Sequence, residues 1–242
     1  MSRRSHGPDG RVVIVSPHFD DAPLSLGQSL LDGDLSRREV LVVVVFSTSN
    51  WTIWFHPTPS RARVVSWVRR AEEAVAARRF GYRVRTLGFP ELTLRSGATD
   101  SATMFDLTVD VGAEPFVPAL RDALLDVLEP GDEVWFPAGM GDHVDHRIVA
   151  EVGRQVRAAG RESVGFYEDR PYVSSMDDAQ RAAVIARVGA DLEPREVSGP
   201  VTEGLHRRLR STYRSQIHDV FDDAMAADRA AAARERVWTS TT

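Results

Sequence analysis

The chain has 242 residues, 43% of them hydrophobic, no cysteine and a net charge of −5. That length and apolar content suit one sizeable globular core rather than a disordered chain. Without cysteine there are no disulfides and no thiolate metal sites, so any metal must be held by His, Asp or Glu. Acidic and basic residues are interspersed with no basic stripe, which argues against a nucleic-acid partner.

The N-terminal MSRRSHGPDG is polar and has no apolar signal-peptide core, so residues 1–10 are expected to be a flexible terminus. RVVIVS (11–16) reads as a first strand ended by Pro17, and a helix is expected to begin within 24–31. EVLVVVVFSTS (39–49) reads as a second strand. Its run VLVVVVF (40–46) is much too short to cross a bilayer and suits a central parallel strand covered on both faces, so no membrane partner is expected. The Arg-, Ala- and Glu-rich stretch from Pro59 to Phe80 is a helix stopped by Gly81, and 83–89 is a third strand. Residues 92–112 break the alternation and are open to two readings, an active-site flap or a plain surface excursion. A helix over 114–131, a strand over 132–139, a helix over 143–160 and a strand over 163–169 follow. The remainder, 176–242, is expected to be mostly helical and part of the same single domain. Alternating strands and helices imply an α/β fold with a mainly parallel sheet.

In such a sheet ligands bind outside the carboxyl ends of the strands. The first strand delivers PHFDD (17–21) to that edge, with His18, Asp20 and Asp21; the fourth delivers GMGDHVDH (139–146), with His143, Asp145 and His146. A DD pair after a strand is by itself usually a solvated turn or a helix cap, and an HxxH is usually surface or core. Together at matching strand ends they suit a divalent metal, with three protein ligands and an open position for water. That is the chemistry of a hydrolase. A dinucleotide-binding oxidoreductase is disfavoured because no G-x-G-x-x-G follows the first strand.

PHFDD followed by HVDH resembles the LmbE-like, or PIG-L, family of zinc-dependent N-deacetylases, which carries (A/S)HPDD(E/A) and H-x-D-H at those places. Supporting matches are Arg70-x-x-Glu73 with Ala77 and Gly81, LGFPE (87–91), YEDRPY (167–172) and YRSQ (213–216), so the likeness runs over about residues 11–220. It implies a Rossmann-like three-layer sandwich and an enzyme that removes an acyl group, acetyl in the family, from an amino sugar or its conjugate, as in natural-product metabolism; the lack of cysteine fits a cytoplasmic location. It implies zinc, with ferrous iron as the alternative, held by His18, Asp21 and His146. Asp20 would be the general base, His143 the oxyanion stabiliser, and Asp145 the support of a histidine, foremost His143. Family precedent also makes a homo-oligomer plausible. Two other readings stay open: an amidase for another amide, such as a thiol-cofactor conjugate, and a non-catalytic ligand-binding relative.

The chain departs from the family pattern at Phe19, where proline is usual, at Ala22, where an acidic residue often follows, and at Glu91 in place of aspartate. These changes bear on the loop's shape and on substrate choice. As substrate contacts the sequence offers Arg70, Glu91, which would reach a sugar hydroxyl, the aromatics Trp51 and Trp54 after the second strand, and Tyr167 at the end of the fifth. Arg70 is equally readable as an intrahelical partner of Glu73. Glu168 and Asp169 should also face the rim. Tyr213 and Gln216 read as structural, and His6, His206 and His218 as ordinary polar residues.

Overall fold

The computed structural model describes residues 10–97, 100–161 and 163–240, so the expected flexible terminus, His6 included, lies outside the described residues except for Gly10. Five parallel strands, β1 (Val12–Ser16), β2 (Val40–Val44), β3 (Arg83–Thr86), β4 (Glu133–Pro137) and β5 (Val164–Tyr167), are joined by two antiparallel ones, β6 (Leu192–Pro200) and β7 (Arg234–Ser240). Their order is β3-β2-β1-β4-β5-β7-β6. Around the sheet lie α1 (Asp21–Asp32), α2 (Ala62–Phe80), α3 (Leu92–Ser96), α4 (Ser101–Met104), α5 (Val117–Leu125), α6 (Val144–Ala158), α7 (Asp178–Val188), α8 (Glu203–Thr212) and α9 (Asp219–Ala230).

The apolar runs explain the layering. β1 pairs Val12 with Val40 and Ser16 with Val44, and both strands are buried throughout. Because side chains alternate along a strand, Val13 and Val15 enter one core with Phe136 and Ile148, while Val12 and Ile14 enter the other with Phe80 and Leu205. The sheet is therefore the middle of three layers, as the alternation and the family likeness implied.

Strand order decides where the site forms. From β1 the chain steps outward to β2 and β3, then returns to pair β4 on the opposite side of β1. The loops after β1 and β4 diverge at that reversal and leave a crevice between them. Those two loops carry the two motifs.

The structure adjusts several boundaries. The first helix begins at Asp21, directly after the first aspartate of the pair, and β2 ends at Val44, short of 49. The 114–131 helix is confined to Val117–Leu125. Gly81 ends α2 with φ 79°, in the left-handed region where glycine is unstrained. The expectation of a mostly helical C-terminal part is corrected: β6 and β7 lie in it, pair from Leu192–Ser240 to Pro200–Arg234, and extend the sheet. Two prolines within LEPREVSGP disguise β6, which the edge of a sheet tolerates. Among the described residues no helix is long and apolar enough to cross a membrane.

Candidate active site

The PHFDD turn is fastened from both sides. Ser16 Oγ donates to the His18 carbonyl at 2.6 Å and accepts from Ala22 N at 3.1 Å. The His18 amide donates to Asp21 Oδ2 at 2.7 Å, and the Tyr213 hydroxyl donates to the Phe19 carbonyl at 3.2 Å. Phe19 is fully buried in the core. Its ring fixes the turn by packing where the family's proline would fix it by restricting φ.

α6 brings the second set. His143 is its N-cap and its Nδ1 accepts from Asp145 N at 3.2 Å. Because Nδ1 is the acceptor, the neutral ring carries its hydrogen on Nε2 and can donate from there. The rings of His18, His143 and His146 form a triangle with centroids 5.3 to 5.4 Å apart.

Three donor atoms converge on one point. Asp21 Oδ2 lies 3.2 Å from His18 Nδ1 and 3.3 Å from His146 Nε2. Ligand atoms of His18, Asp21 and His146 all fall within 4.8 Å of one another. The far nitrogen of each histidine meets a carboxylate: His18 Nε2 to Asp145 Oδ2 at 3.0 Å, and His146 Nδ1 to Asp169 Oδ1 at 2.7 Å. Such outer carboxylates set ring orientation and strengthen a metal-binding imidazole. Asp169 is itself held by the amides of Gly139 and Met140, both at 2.9 Å, and Asp145 by Leu92 N at 3.0 Å and Arg95 at 2.6 Å. Arg95 lies between the rings of Phe46 and Phe116, 4.8 and 4.7 Å from their centroids.

Charge points the same way. Asp20, Asp21, Glu91, Asp145 and Asp169 are five buried carboxylates set against two guanidiniums, Arg69 and Arg95. With neutral histidines that leaves three uncompensated negative charges in low dielectric, a costly state that a divalent cation relieves. In the metal-free protein the histidines take up that charge. Burial works to lower His18, but its hydrogen bonds to Asp145 and Asp21 prevail and hold it up at about 9. His146 is likewise held well above its ordinary value: burial opposes, and Asp21 and Asp169 outweigh it. His143 goes the other way, to about 3, through burial and then the neighbouring imidazoliums. Asp20 is raised by burial, with Arg69 opposing.

The structure brings together His18, Asp20, Asp21, His143, Asp145 and His146, and corrects several of the other roles read from the sequence. The Asp145 carboxylate hydrogen-bonds His18 and not His143, on which it acts by its charge and by its backbone amide. Arg70 is exposed, and the arginine that enters the site is Arg69, whose Nη2 reaches Asp20 Oδ1 at 3.0 Å and Nη1 reaches Glu91 Oε2 at 3.2 Å. Nor does Arg70 pair with Glu73, which is buried between the hydroxyls of Tyr82 at 2.9 Å and Tyr213 at 2.8 Å. Glu91 lines the cavity, but its Oε1 already accepts from Ser49, Asn50, Trp51 and Thr93, so it clamps the loop after β2 instead of greeting a sugar hydroxyl. Tyr167 is fully buried and donates to the Val15 carbonyl at 3.0 Å, away from any substrate. Trp54 is 50% exposed and outside the cavity, whereas Trp51 lines it.

The cavity measures about 520 Å³. Sequence reasoning missed Arg69, Tyr172 and the approach of α9, which line it, and Arg95, which braces Asp145 from behind. Tyr172 packs edge-on against His146, centroids 5.5 Å apart, over Gly141, where a Cβ would lie 2.2 Å from its ring. Residues His218, Val220 and Phe221 of α9 and its cap line the wall, so His218 is more than an ordinary surface histidine. The 92–112 stretch supplies Leu92, Thr93, Met104 and Phe105 to the cavity, which favours the active-site reading of that segment over a plain excursion. Residues 98 and 99 of it lie outside the described residues. Tyr213 is structural, as read, while Gln216 both lines the cavity and bonds the Ser215 carbonyl at 2.9 Å.

Comparison with known proteins adds an independent line. Residues 13–157 match the sequence profile of the family described as PIG-L, GlcNAc-PI de-N-acetylase. A 2′-N-acetylparomamine deacetylase of Streptomyces fradiae is 33% identical over 215 residues, which span 87% of this chain and 75% of that one. The deacetylase of teicoplanin biosynthesis, solved in complex with teicoplanin, superposes with a TM-score of 0.66 at 20% identity over 96% of this chain and 99% of that one. The zinc-inhibited form of teicoplanin deacetylase gives 0.59 at 21% identity over 94% and 97%. Both structural likenesses are of fold.

Proposed function

The chain belongs to the PIG-L family, and on that premise we propose that it is a metal-dependent N-deacetylase removing an acetyl group from an amino sugar of a natural-product intermediate. The observation that carries this reading is the convergence of His18, Asp21 and His146 within 4.8 Å, with Asp20 beside them and outside the ligand set. The relative in Streptomyces fradiae, a 2′-N-acetylparomamine deacetylase, supports an N-acetyl group as the one removed.

The donor set fits a catalytic metal: two imidazoles, one carboxylate and a carboxylate behind each imidazole. When bound there, zinc or ferrous iron supplies Lewis acidity, polarising the amide carbonyl and bringing the pKa of water towards neutrality. Arg69 occupies Oδ1 of Asp20, and Oδ2 is left to take the proton of the attacking water. The same carboxyl then returns that proton to the departing amine, without which the C–N bond does not break. His143 donates from Nε2 to the amide oxygen as negative charge develops on it, a contribution of about 10²–10³ in rate for one such donor. Asp145 and Asp169 keep His18 and His146 oriented, and Arg95 keeps Asp145 in place.

The test pairs metal content with amine release from N-acetylglucosaminides and 2′-N-acetylparomamine, for wild type and Asp20→Asn. The expected result is about one metal per chain in both proteins, with turnover in the variant about 10²–10⁴-fold lower. A wild type that takes up neither zinc nor ferrous iron on reconstitution would overturn the reading.

A further inference from the structure

The cavity walls differ in chemistry from its floor. Each carboxylate that lines it already faces a cationic or histidine partner: Asp20 and Glu91 meet Arg69, Asp21 meets His18 and His146, and Asp145 meets Arg95 and His18, with Asp20 Oδ2 kept for the proton of the attacking water. An ammonium group of a bound substrate would find no carboxylate among the lining residues without such a partner. Above the floor the walls are apolar: Trp51 from the loop after β2, Met104 and Phe105 at the end of α4, Val220 and Phe221 from the first turn of α9. Val220 is 66% and Phe105 38% exposed, apolar surface that a ligand seated over the floor would cover. A cavity of about 520 Å³ is of the size that houses a drug-sized ligand, more than one acetamido sugar fills.

We propose that these walls select an acetylated amino sugar carrying an aromatic aglycone over a polycationic aminoglycoside. This rests on the deacetylase reading and narrows its substrate class. Aromatic rings stack on or meet edge-on the faces that Trp51, Phe105 and Phe221 offer, without needing counter-charge. The wall is also built to be held still. Trp51 N donates to Glu91 Oε1 at 3.0 Å and to Ser49 Oγ at 3.1 Å, and Glu91 shares Arg69 with Asp20. One buried clamp thus fixes both the aglycone wall and the base, so an aglycone docked on Trp51 sets the sugar's position relative to Asp20.

The experiment measures binding by calorimetry to metal-loaded Asp20→Asn, with turnover by the wild type in parallel. The ligands are phenyl N-acetyl-β-glucosaminide, methyl N-acetyl-β-glucosaminide and 2′-N-acetylparomamine. The expected result is at least tenfold tighter binding of the phenyl glycoside than of either other ligand. Adding Trp51→Ala, or Phe221→Ala should the first not fold, brings the phenyl-to-methyl ratio to about one, while Trp54→Ala outside the cavity keeps it. Equal affinities, tighter binding of the aminoglycoside, no binding of the phenyl glycoside, or a ratio indifferent to Trp51 and Phe221 would overturn the proposal. Should the wild type hydrolyse none of the three, the deacetylase reading falls, and the ranking of affinities still decides the role of the walls.

Discussion

The floor and the walls of the cavity are held by different forces. On the floor the charged groups are tied to fixed polar partners, most of them to two or more. Asp169, for instance, accepts from two backbone amides and meets His146. Apart from Trp51, whose amide is clamped, the walls are set by packing, with Phe105 edge-on to His143 at 5.4 Å and to Tyr172 at 6.2 Å. Charged groups in low dielectric are costly unless exactly partnered, so the floor admits one arrangement. Apolar contacts are non-directional, so the walls can vary in shape without endangering the metal site. The difference separates the chemistry of the site from its choice of substrate.

The strongest blow to the floor should come from Arg69→Met. It leaves Asp20 and Glu91 buried without their shared cation, and urea unfolding should show a loss of about 3–5 kcal/mol. Arg70→Met, one residue along and exposed, should stay within about 0.5 kcal/mol of wild type. Equal effects of the two would erase the distinction between floor and surface.

Next in size, Asp169→Asn should weaken metal binding about 10–100-fold in a chelator competition, because an amide cannot orient and polarise His146 as a carboxylate does. Phe105→Ala, on the wall, should raise KM severalfold and leave metal affinity within about twofold in the same competition. A wall variant that lost metal would break the separation.

A pH experiment tests the layer beneath the floor. Burial pushes Glu73 from 4.5 up to about 8, so the folded protein keeps a proton that the unfolded chain releases. Its contribution to stability is full below about pH 4.5 and is lost as pH rises through about 8. Glu73→Gln keeps a neutral side chain that can donate to Tyr213 and accept from Tyr82. Thermal melts should match wild type near pH 4.5, and the variant should become progressively the more stable of the two towards pH 8.5. A constant difference across that range would mean that Glu73 is ionised in the fold. Smallest of all, Trp54→Ala should change stability by no more than about 0.5 kcal/mol, since that ring is half exposed outside the cavity.

Much of the fold was readable because the central strands are continuous β-branched runs, which only a sheet covered on both faces can bury. Helix phase on α2 was readable too and was misjudged. Val65, Ala76 and Phe80 set the buried face, and Arg69 and Glu73 fall on it, whereas Arg70 lies about 100° around the axis. A charged pair on an apolar stripe was the signal that could have identified Arg69. β6 and β7 carry no such signal. Their residues alternate with prolines and charges, and their pairing partners lie far apart along the chain.

By itself the sequence determined the ligand chemistry: which side chains can bind a metal, that no thiolate is among them, and that both motifs follow buried strands. Those are properties of residue type and local spacing. Only the tertiary structure decided which carboxylate serves which histidine, which of two adjacent arginines meets the base, and what surrounds the sugar. Asp145 reaches His18 across 127 positions of sequence, and Phe221 shares a cavity with Trp51 because α9 returns to the mouth opened between β1 and β4. Such pairings depend on where the sheet order reverses and on how helices pack over it, and no local pattern encodes that.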